Sequence, residues 1–507
     1  MQNNRKLYDL VASLSKSEKI YLKKFAFLHD RNKENVYLVL FDLLQKKNIN
    51  TDAELLKALR KTTISQNLPS IKHYLYKHIL RSLRNYYHGE SANMEVKSML
   101  EDIHVLLLKG LYSQCRSLIA STKKVALKYD MHIDYLNLLR IETKLLVMTN
   151  AEREKVNKVY DEQREVTKII NNSIDYNQLS NETWHLIFGK IDPSDRQKLA
   201  RELFSHPLLN DIKNAKTFYD RSSFYFSMSR KGAFGRDEKV TENSLKDNVA
   251  MWESHPHFIR ENMNDYIVLL HDLTFTHYQY HDHKKNKFIQ DTINKIKGLS
   301  SSSPHIQSKI FQFAYMGQQN LSINMGFFEE ERKNIPEVER GLKDYDSLIS
   351  YNIRLVFHIN TAHILIGCGD YRSASTWLRK GLEMESKATL SDIIMVMKVM
   401  VLICYIELEN FELLEFSLRS VKRKLDKSAP QSINILLEYI KSYSSANSDK
   451  RRMEQLLNST IQKLLKICNE PNEKQIMDTF DFISYLESKR RGRPFGQVFK
   501  EKVQKML

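Results

Sequence analysis

Glycine and proline are scarce in this 507-residue chain, at 14 and 9 residues, where average usage would give roughly 35 and 25. Sheet-rich and α/β folds spend both residues on turns, so their scarcity excludes a turn-rich architecture and predicts long helices joined by short polar connections. So little glycine also leaves no phosphate-cradling loop: the sequence contains no G-x-x-x-x-G-K-[ST], no G-x-G-x-x-G and no G-x-S-x-G. Cysteine is sparse as well. Cys115, Cys368, Cys404 and Cys468 are scattered without a C-x-x-C pair, which predicts reduced thiols in a cytoplasmic protein rather than a disulfide framework. A membrane-length apolar run is missing too: the longest, from Ile393 to Ile406, is broken by Lys398 and falls short of the ~20 residues that span a bilayer. A buried core helix is expected there, and no membrane insertion. The polar start Met1-Gln2-Asn3-Asn4-Arg5-Lys6 leads us to expect neither a signal peptide nor a lipid anchor. Carboxylates are abundant but diffuse, as on solvated helix faces. The expectation is a protein without catalytic apparatus, cofactor or metal.

What is present is positive charge. The formal net charge is +17, which attracts polyanions or acidic partners. Its placement says more than its size. Residues 1–90 hold 17 Lys+Arg against 8 Asp+Glu, and the last 19 residues hold 7 against 1, leaving the long middle close to balanced.

Apolar residues recur at i, i+3, i+4 and i+7 almost throughout, and no segment alternates with period two. Breaks fall at Gly189–Pro193, His206-Pro207, Arg230–Arg236, Gly298 to Pro304, Ser428–Gln431 and Ser444–Lys450. Between them lie segments of helix length. The clearest motif runs from Phe357 to Glu383. It places Ala362 and Ala374 where two helices must cross closely, Gly369-Asp370-Tyr371 at the turn between them, and Leu378 and Gly381 in the second helix. This stretch resembles a tetratricopeptide repeat, with His358 where that family usually has tryptophan. Weaker copies of the turn stand at Gly326-Phe327-Phe328, at Glu409-Asn410-Phe411 and at Lys109-Gly110-Leu111-Tyr112, the last with Cys115 as its small residue. Their spacing exceeds the 34 residues of a standard repeat. The resemblance implies helical hairpins that stack, because each leaves an apolar face open until a neighbour covers it.

Three constellations are candidates for binding. The first 90 residues predict helices at Val36–Lys47, Asp52–Lys61 and Pro69–Tyr87. The third carries Ile71, Leu75, Ile79, Leu83 and Tyr86 on one stripe and His73, Lys77, Arg81, Arg84 and His88 on another. A basic third helix resembles the recognition helix of a helix-turn-helix, although the connection from Thr62 to Leu68 is long for that turn; the other reading is a basic bundle capping the repeats. At the far end, Lys489-Arg490-Arg491-Gly492-Arg493-Pro494 contains the Arg-Gly-Arg-Pro core of an AT-hook, in which arginines enter a narrow minor groove. A helix end followed by a solvated basic tail explains the same residues. His271, His277, His281 and His283 include an i, i+4 pair, but no third ligand stands at a metal-binding spacing and no H-E-x-x-H occurs.

The sequence therefore predicts an all-α protein: an α-solenoid of TPR-like helical hairpins with an N-terminal helical bundle. The expected divisions are a basic bundle at 1–90, divergent hairpins at 91–298, TPR-like repeats at 305–488 and a basic tail at 489–507. The expected function is that of a scaffold or adaptor for a protein or peptide partner, with basic ends that dock on nucleic acid or an acidic partner through Lys77, Arg81, Arg84, Arg490, Arg491 and Arg493. The alternative is a DNA-binding regulator with an N-terminal helix-turn-helix and a TPR-like sensor region.

Overall fold

The computed structural model describes residues 5–29, 36–46, 49, 51–59, 67–89, 91–189, 191–279, 286–384, 390–424, 430–446 and 449–506. Among these residues the chain forms 27 α-helices and no strand, so the fold is all-α. No helix among them is long and apolar enough to cross a membrane. The longest apolar run lies in helix Ser391–Glu407, which buries Val396, Met397, Val399, Met400 and Leu402. The chain divides into two compact units, Met1–Tyr266 and Ile267–Leu507. Helices Asn286–Gly298 and Pro304–Met325, on either side of the Gly298–Pro304 break, pack on each other within the second unit.

In the first unit, helices Lys6–Ser13, Lys16–His29, Val36–Lys46, Asp52–Leu59 and Leu68–Tyr87 surround Leu22, Leu40, Phe41, Leu55, Leu75 and Ile79. Only the last three of these helices are predicted from the sequence. Helix Lys16–His29 begins with a capping box: the Glu18 N–H donates to Ser15 Oγ at 3.2 Å, and the Ser15 N–H donates to Glu18 Oε2 at 2.6 Å. Tyr87 Oη then donates to Glu18 Oε1 at 2.6 Å, tying the start of this helix to the end of helix Leu68–Tyr87.

Three helices of equal length follow, Ala92–Leu108, Tyr112–Lys128 and His132–Met148. Their turns share one geometry. Gly110, Asp130 and Asn150 sit in the left-handed region at φ 70°, 54° and 49°. Each turn closes with two bonds back into the preceding helix, as when the N–H groups of Gly110 and Leu111 donate to the carbonyls of Leu107 and Leu106. This double closure satisfies helix-end carbonyls that would otherwise lack donors. It recurs at Gly326, Gly369, Glu409 and Gly492. Asp130 accepts the strain because its carboxylate receives the Phe218 N–H at 2.6 Å, bracing the start of helix Phe218–Gly235.

The second unit is built around the hairpin of helices Tyr351–Gly367 and Tyr371–Leu382. Ala362, Ala374 and Leu378 are fully buried, Tyr371 packs against the same core, and Gly369 at φ 77° makes the turn. Gly381 is needed for close approach: a Cβ there would come within 2.5 Å of Met397 Cε and 3.0 Å of His358 Cβ. His358 fills the place of the missing tryptophan. Its ring lies 5.1 Å from that of Trp377 and its Nδ1 is 2.9 Å from the Trp377 carbonyl oxygen. Neighbouring helices Pro304–Met325, Ser391–Glu407 and Phe411–Lys424 pack on consecutive members of this array. Replacing Ala374 with leucine should overpack the crossing and cost about 1–3 kcal/mol. Thermal unfolding checks this: an unchanged Tm would mean that the crossing has room.

The last residues are not a tail. Helix Phe495–Met506 places Phe495, Phe499 and Val503 in the core of the second unit. A Cβ on Gly496 would run into the carbonyl oxygen of Gly367, and one on Gly367 would run into the Phe328 ring, so this helix lies backbone-close to the end of helix Tyr351–Gly367. His363 stands behind that junction, fully enclosed, with ring centroids of Phe480, Phe328 and Phe495 at 4.7, 5.9 and 6.1 Å. Its Nε2 has no hydrogen-bond partner among the described residues, and burial pushes its pKa down to about 4 against a weaker pull from Asp481.

Candidate functional site

Helix Leu68–Tyr87 carries the charged surface. Pro69 pre-sets its first turn, and its 20 residues include no Asp or Glu. Leu68, Leu75, Ile79 and Ser82 face the core, which leaves His73, Lys77, Arg81, Arg84 and His88 exposed together. The Arg81 guanidinium lies 5.9 Å over the Phe25 ring. Residues 60–66, which hold most of the connection on which a helix-turn-helix depends, lie outside the described residues.

Two troughs flank this charged face. The first, of about 730 Å³, lies against helices Lys6–Ser13 and Asp52–Leu59 and is lined by Leu56, Leu68 and Leu80 together with Lys6, Lys72, His73 and Lys77. The second, of about 810 Å³, is lined by Tyr74, Leu83, Tyr87 and Met94 together with Lys77, Arg81 and Arg84. Lys77 and Leu80 line both, so the two adjoin. The sequence displays the cations but not their apolar partners: Leu56, Tyr74 and Leu80 are 45%, 51% and 39% exposed. A signal for two of them is present, since Tyr74 and Leu80 stand beside the basic stripe and off the apolar one.

Among the described residues Asp52 is the one carboxylate lining either trough, and it is already engaged. Lys72 Nζ and Tyr8 Oη both donate to its Oδ1 at 2.5 Å. Burial opposes its charge, yet these two bonds outweigh burial and hold the carboxyl below its ordinary pKa. The exposed charge of the troughs is thus cationic.

The second basic candidate is organised differently. Gly492 caps helix Phe482–Arg491 at φ 63°, and the chain turns directly into helix Phe495–Met506. Arg493 folds back onto Glu501 at 2.6 Å, Arg491 pairs with Glu487 at 2.6 Å, and Arg490 bonds Asn458 at 3.2 Å. These arginines are spent on internal pairs and are not strung along an extended strand, so the AT-hook-like core is a helix junction. Arg490, Arg491 and Arg493 belong to the second unit, and Lys77, Arg81 and Arg84 to the first.

Other clusters are structural joints. A cavity of about 470 Å³ gathers Asp130, His132, Asp134 and Glu261, but each carboxylate is committed. Glu261 receives the Ala92 N–H at 2.7 Å and the Ser91 hydroxyl at 3.0 Å, Asp130 holds Phe218, and Asp134 pairs with Lys97. His271 lies 3.5 Å from Asp272 and packs on Phe313, while the His277 side chain, His281 and His283 lie outside the described residues. Among the described residues no group of three His, Cys, Asp or Glu is placed to hold a metal ion.

The fold and the site together define an all-α protein with a cationic, apolar-floored surface. No family model matches the chain, and no curated protein or solved structure does either.

Proposed function

We propose that the chain is a non-catalytic adaptor: a solenoid of TPR-like helical hairpins that carries an N-terminal bundle, and whose cationic surface engages an acidic macromolecular partner. The observation that carries this reading is the joint outward projection of Lys77, Arg81 and Arg84 above two adjoining apolar troughs. Concave surfaces with an apolar floor and a few convergent polar groups are where ligands collect, and exposed apolar residues rimmed by charge mark interaction sites. The second reading, a DNA-binding regulator, draws on the same three cations, because an exposed acid-free helix suits a phosphate backbone. Reversing Lys77, Arg81 and Arg84 to Glu and repeating affinity capture from lysate, with and without nuclease, separates the two. The adaptor reading expects a protein partner that survives nuclease and is lost in the triple variant. Capture that nuclease abolishes supports the regulator instead, and nuclease-resistant capture that ignores the triple variant removes this surface from the function.

A further inference from the structure

The two troughs share Lys77 and Leu80, and both are lined mainly by helix Leu68–Tyr87. Helix Leu68–Tyr87 has 20 residues, so at 1.5 Å per residue it presents a strip about 30 Å long. A helix of five to six turns laid along it would match that length. The floor of the strip is aliphatic and aromatic, with Leu56, Leu80 and Tyr74 open to solvent. Its exposed cations are Lys6, Lys77, Arg81 and Arg84, and its sole carboxylate among the described residues, Asp52, is already paired with Lys72.

Resting on the adaptor reading above, we propose that this strip is a docking groove for an acidic amphipathic helix of a partner protein. Its apolar stripe would cover Leu56, Tyr74 and Leu80, and its flanking carboxylates would meet Lys77, Arg81 and Arg84. Helix-in-groove recognition uses this combination of apolar anchors at i, i+3, i+4 and i+7 with complementary charge at the rim. Nucleic acid fits the floor less well. A duplex is held on a basic helix chiefly through phosphates and sugars and gains little from solvent-exposed leucines, while a single strand needs ring faces on which successive bases stack. Tyr74 offers one exposed ring face, but Leu56, Leu80, Leu83 and Met94 along the same strip offer none. A succession of stacked bases is therefore not matched, and the aliphatic share of the lining together with the cations favours an acidic amphipathic helix.

The test is fluorescence anisotropy with the full chain and a labelled 20-residue peptide that has leucines at i, i+3, i+4 and i+7 and glutamates on the remaining face. A peptide of identical composition in scrambled order and a 20-base-pair DNA duplex are the comparisons. The patterned peptide should bind at least tenfold more tightly than the scrambled one. Leu80→Ala should weaken it severalfold, and Lys77→Glu/Arg81→Glu/Arg84→Glu should weaken it tenfold or more. All the substituted side chains are exposed, and circular dichroism melts should show each variant folded like the parent. If the triple variant fails to fold, Leu80→Ala and the scrambled peptide still decide the matter. Equal affinity for patterned and scrambled peptides would mean attraction by charge alone and would overturn the proposal. Tighter binding of the duplex, indifferent to Leu80→Ala, would overturn it in favour of nucleic acid. A nuclease-resistant partner captured from lysate while the patterned peptide fails would sink this inference and leave the adaptor standing; the absence of any such partner would sink the adaptor itself.

Discussion

Truncating the chain after Pro494 should unfold the second unit. A solvated basic tail would be dispensable, and its removal would leave Tm unchanged. Here the removed segment carries Phe495, Val498, Phe499 and Val503, all nearly inaccessible to solvent. Deleting one buried phenylalanine side chain costs about 3–5 kcal/mol, so losing Phe495 and Phe499 alone removes an amount comparable with the whole stability of a domain, about 5–15 kcal/mol. The loss would be concentrated. Phe495 stacks on Phe480 with ring centroids 5.3 Å apart and Phe499 lies 5.6 Å from Phe328, so the truncated chain would expose the enclosure of His363 to water. The expected result is loss of cooperative unfolding in the second unit, with protease cuts appearing in residues 267–494. Limited proteolysis read by mass spectrometry makes the assignment. The single change Phe495→Ala should move Tm in the same direction by less. A truncated protein that melts like the parent would mean that the Phe328, Phe480 and His363 cluster closes without the last helix.

The last helix also marks where sequence reasoning runs out. The segment is rich in Lys and Arg, and the Arg-Gly-Arg-Pro match draws attention to charge. Yet Phe495, Val498, Phe499 and Val503 recur at helical spacing, which is the pattern of a buried face. Gly492 in such a match suggests backbone freedom for a groove-binding strand, whereas its positive φ serves a helix end. Likewise Ser15-Lys16-Ser17-Glu18 and Thr51-Asp52-Ala53-Glu54 are capping-box sequences, and both boxes form. The first announces helix Lys16–His29, which the many charged residues within it conceal.

Other features are legible for physical reasons. Few glycines and prolines leave helix as the default, and the small residues Ala362, Ala374 and Gly381 signal a close crossing because nothing larger fits. The turns at Asp130 and Asn150 are not legible, since neither residue has glycine's preference for the left-handed region. Equal helix lengths, and not composition, reveal that they match Gly110. At the candidate groove the cations are visible because a helix with no acid stands out in any sequence. Leu56 is not, because it comes from a different helix, and only the packing of the bundle brings it beside Leu80.

Mild acid should destabilise the second unit, and two histidines set the window. Burial, outweighing the nearby Asp481, holds His363 neutral down to about pH 4. Burial does the same for His358, aided by the positive charges of Lys380 and Arg354 and opposed by its bond to the Trp377 carbonyl. In the unfolded chain both would protonate near pH 6.5, the ordinary value for histidine. The folded pKa is therefore depressed, so the unfolded state binds more protons between about pH 6.5 and 4, and stability falls as pH falls through that range. Above 6.5 both states are neutral and the contribution is complete. A tenfold difference in proton affinity between the folded and unfolded states corresponds to about 1.4 kcal/mol. On that scale His363 accounts for a loss on the order of 3 kcal/mol across the window, and His358, which keeps some contact with solvent, for less. Urea unfolding of the parent at pH 7.5, 6.0, 5.0 and 4.5 should show a falling midpoint. His363→Leu, which keeps an apolar side chain in the phenylalanine enclosure and removes an Nε2 without a partner among the described residues, should be at least as stable at pH 7.5 and should flatten the decline between pH 6.5 and 5. Carboxylates contribute mainly below that interval, because their unfolded pKa values lie near 4. A variant that loses stability as steeply as the parent over those pH values would show that His363 protonates without opening its enclosure, and that the acid sensitivity comes from elsewhere in the unit.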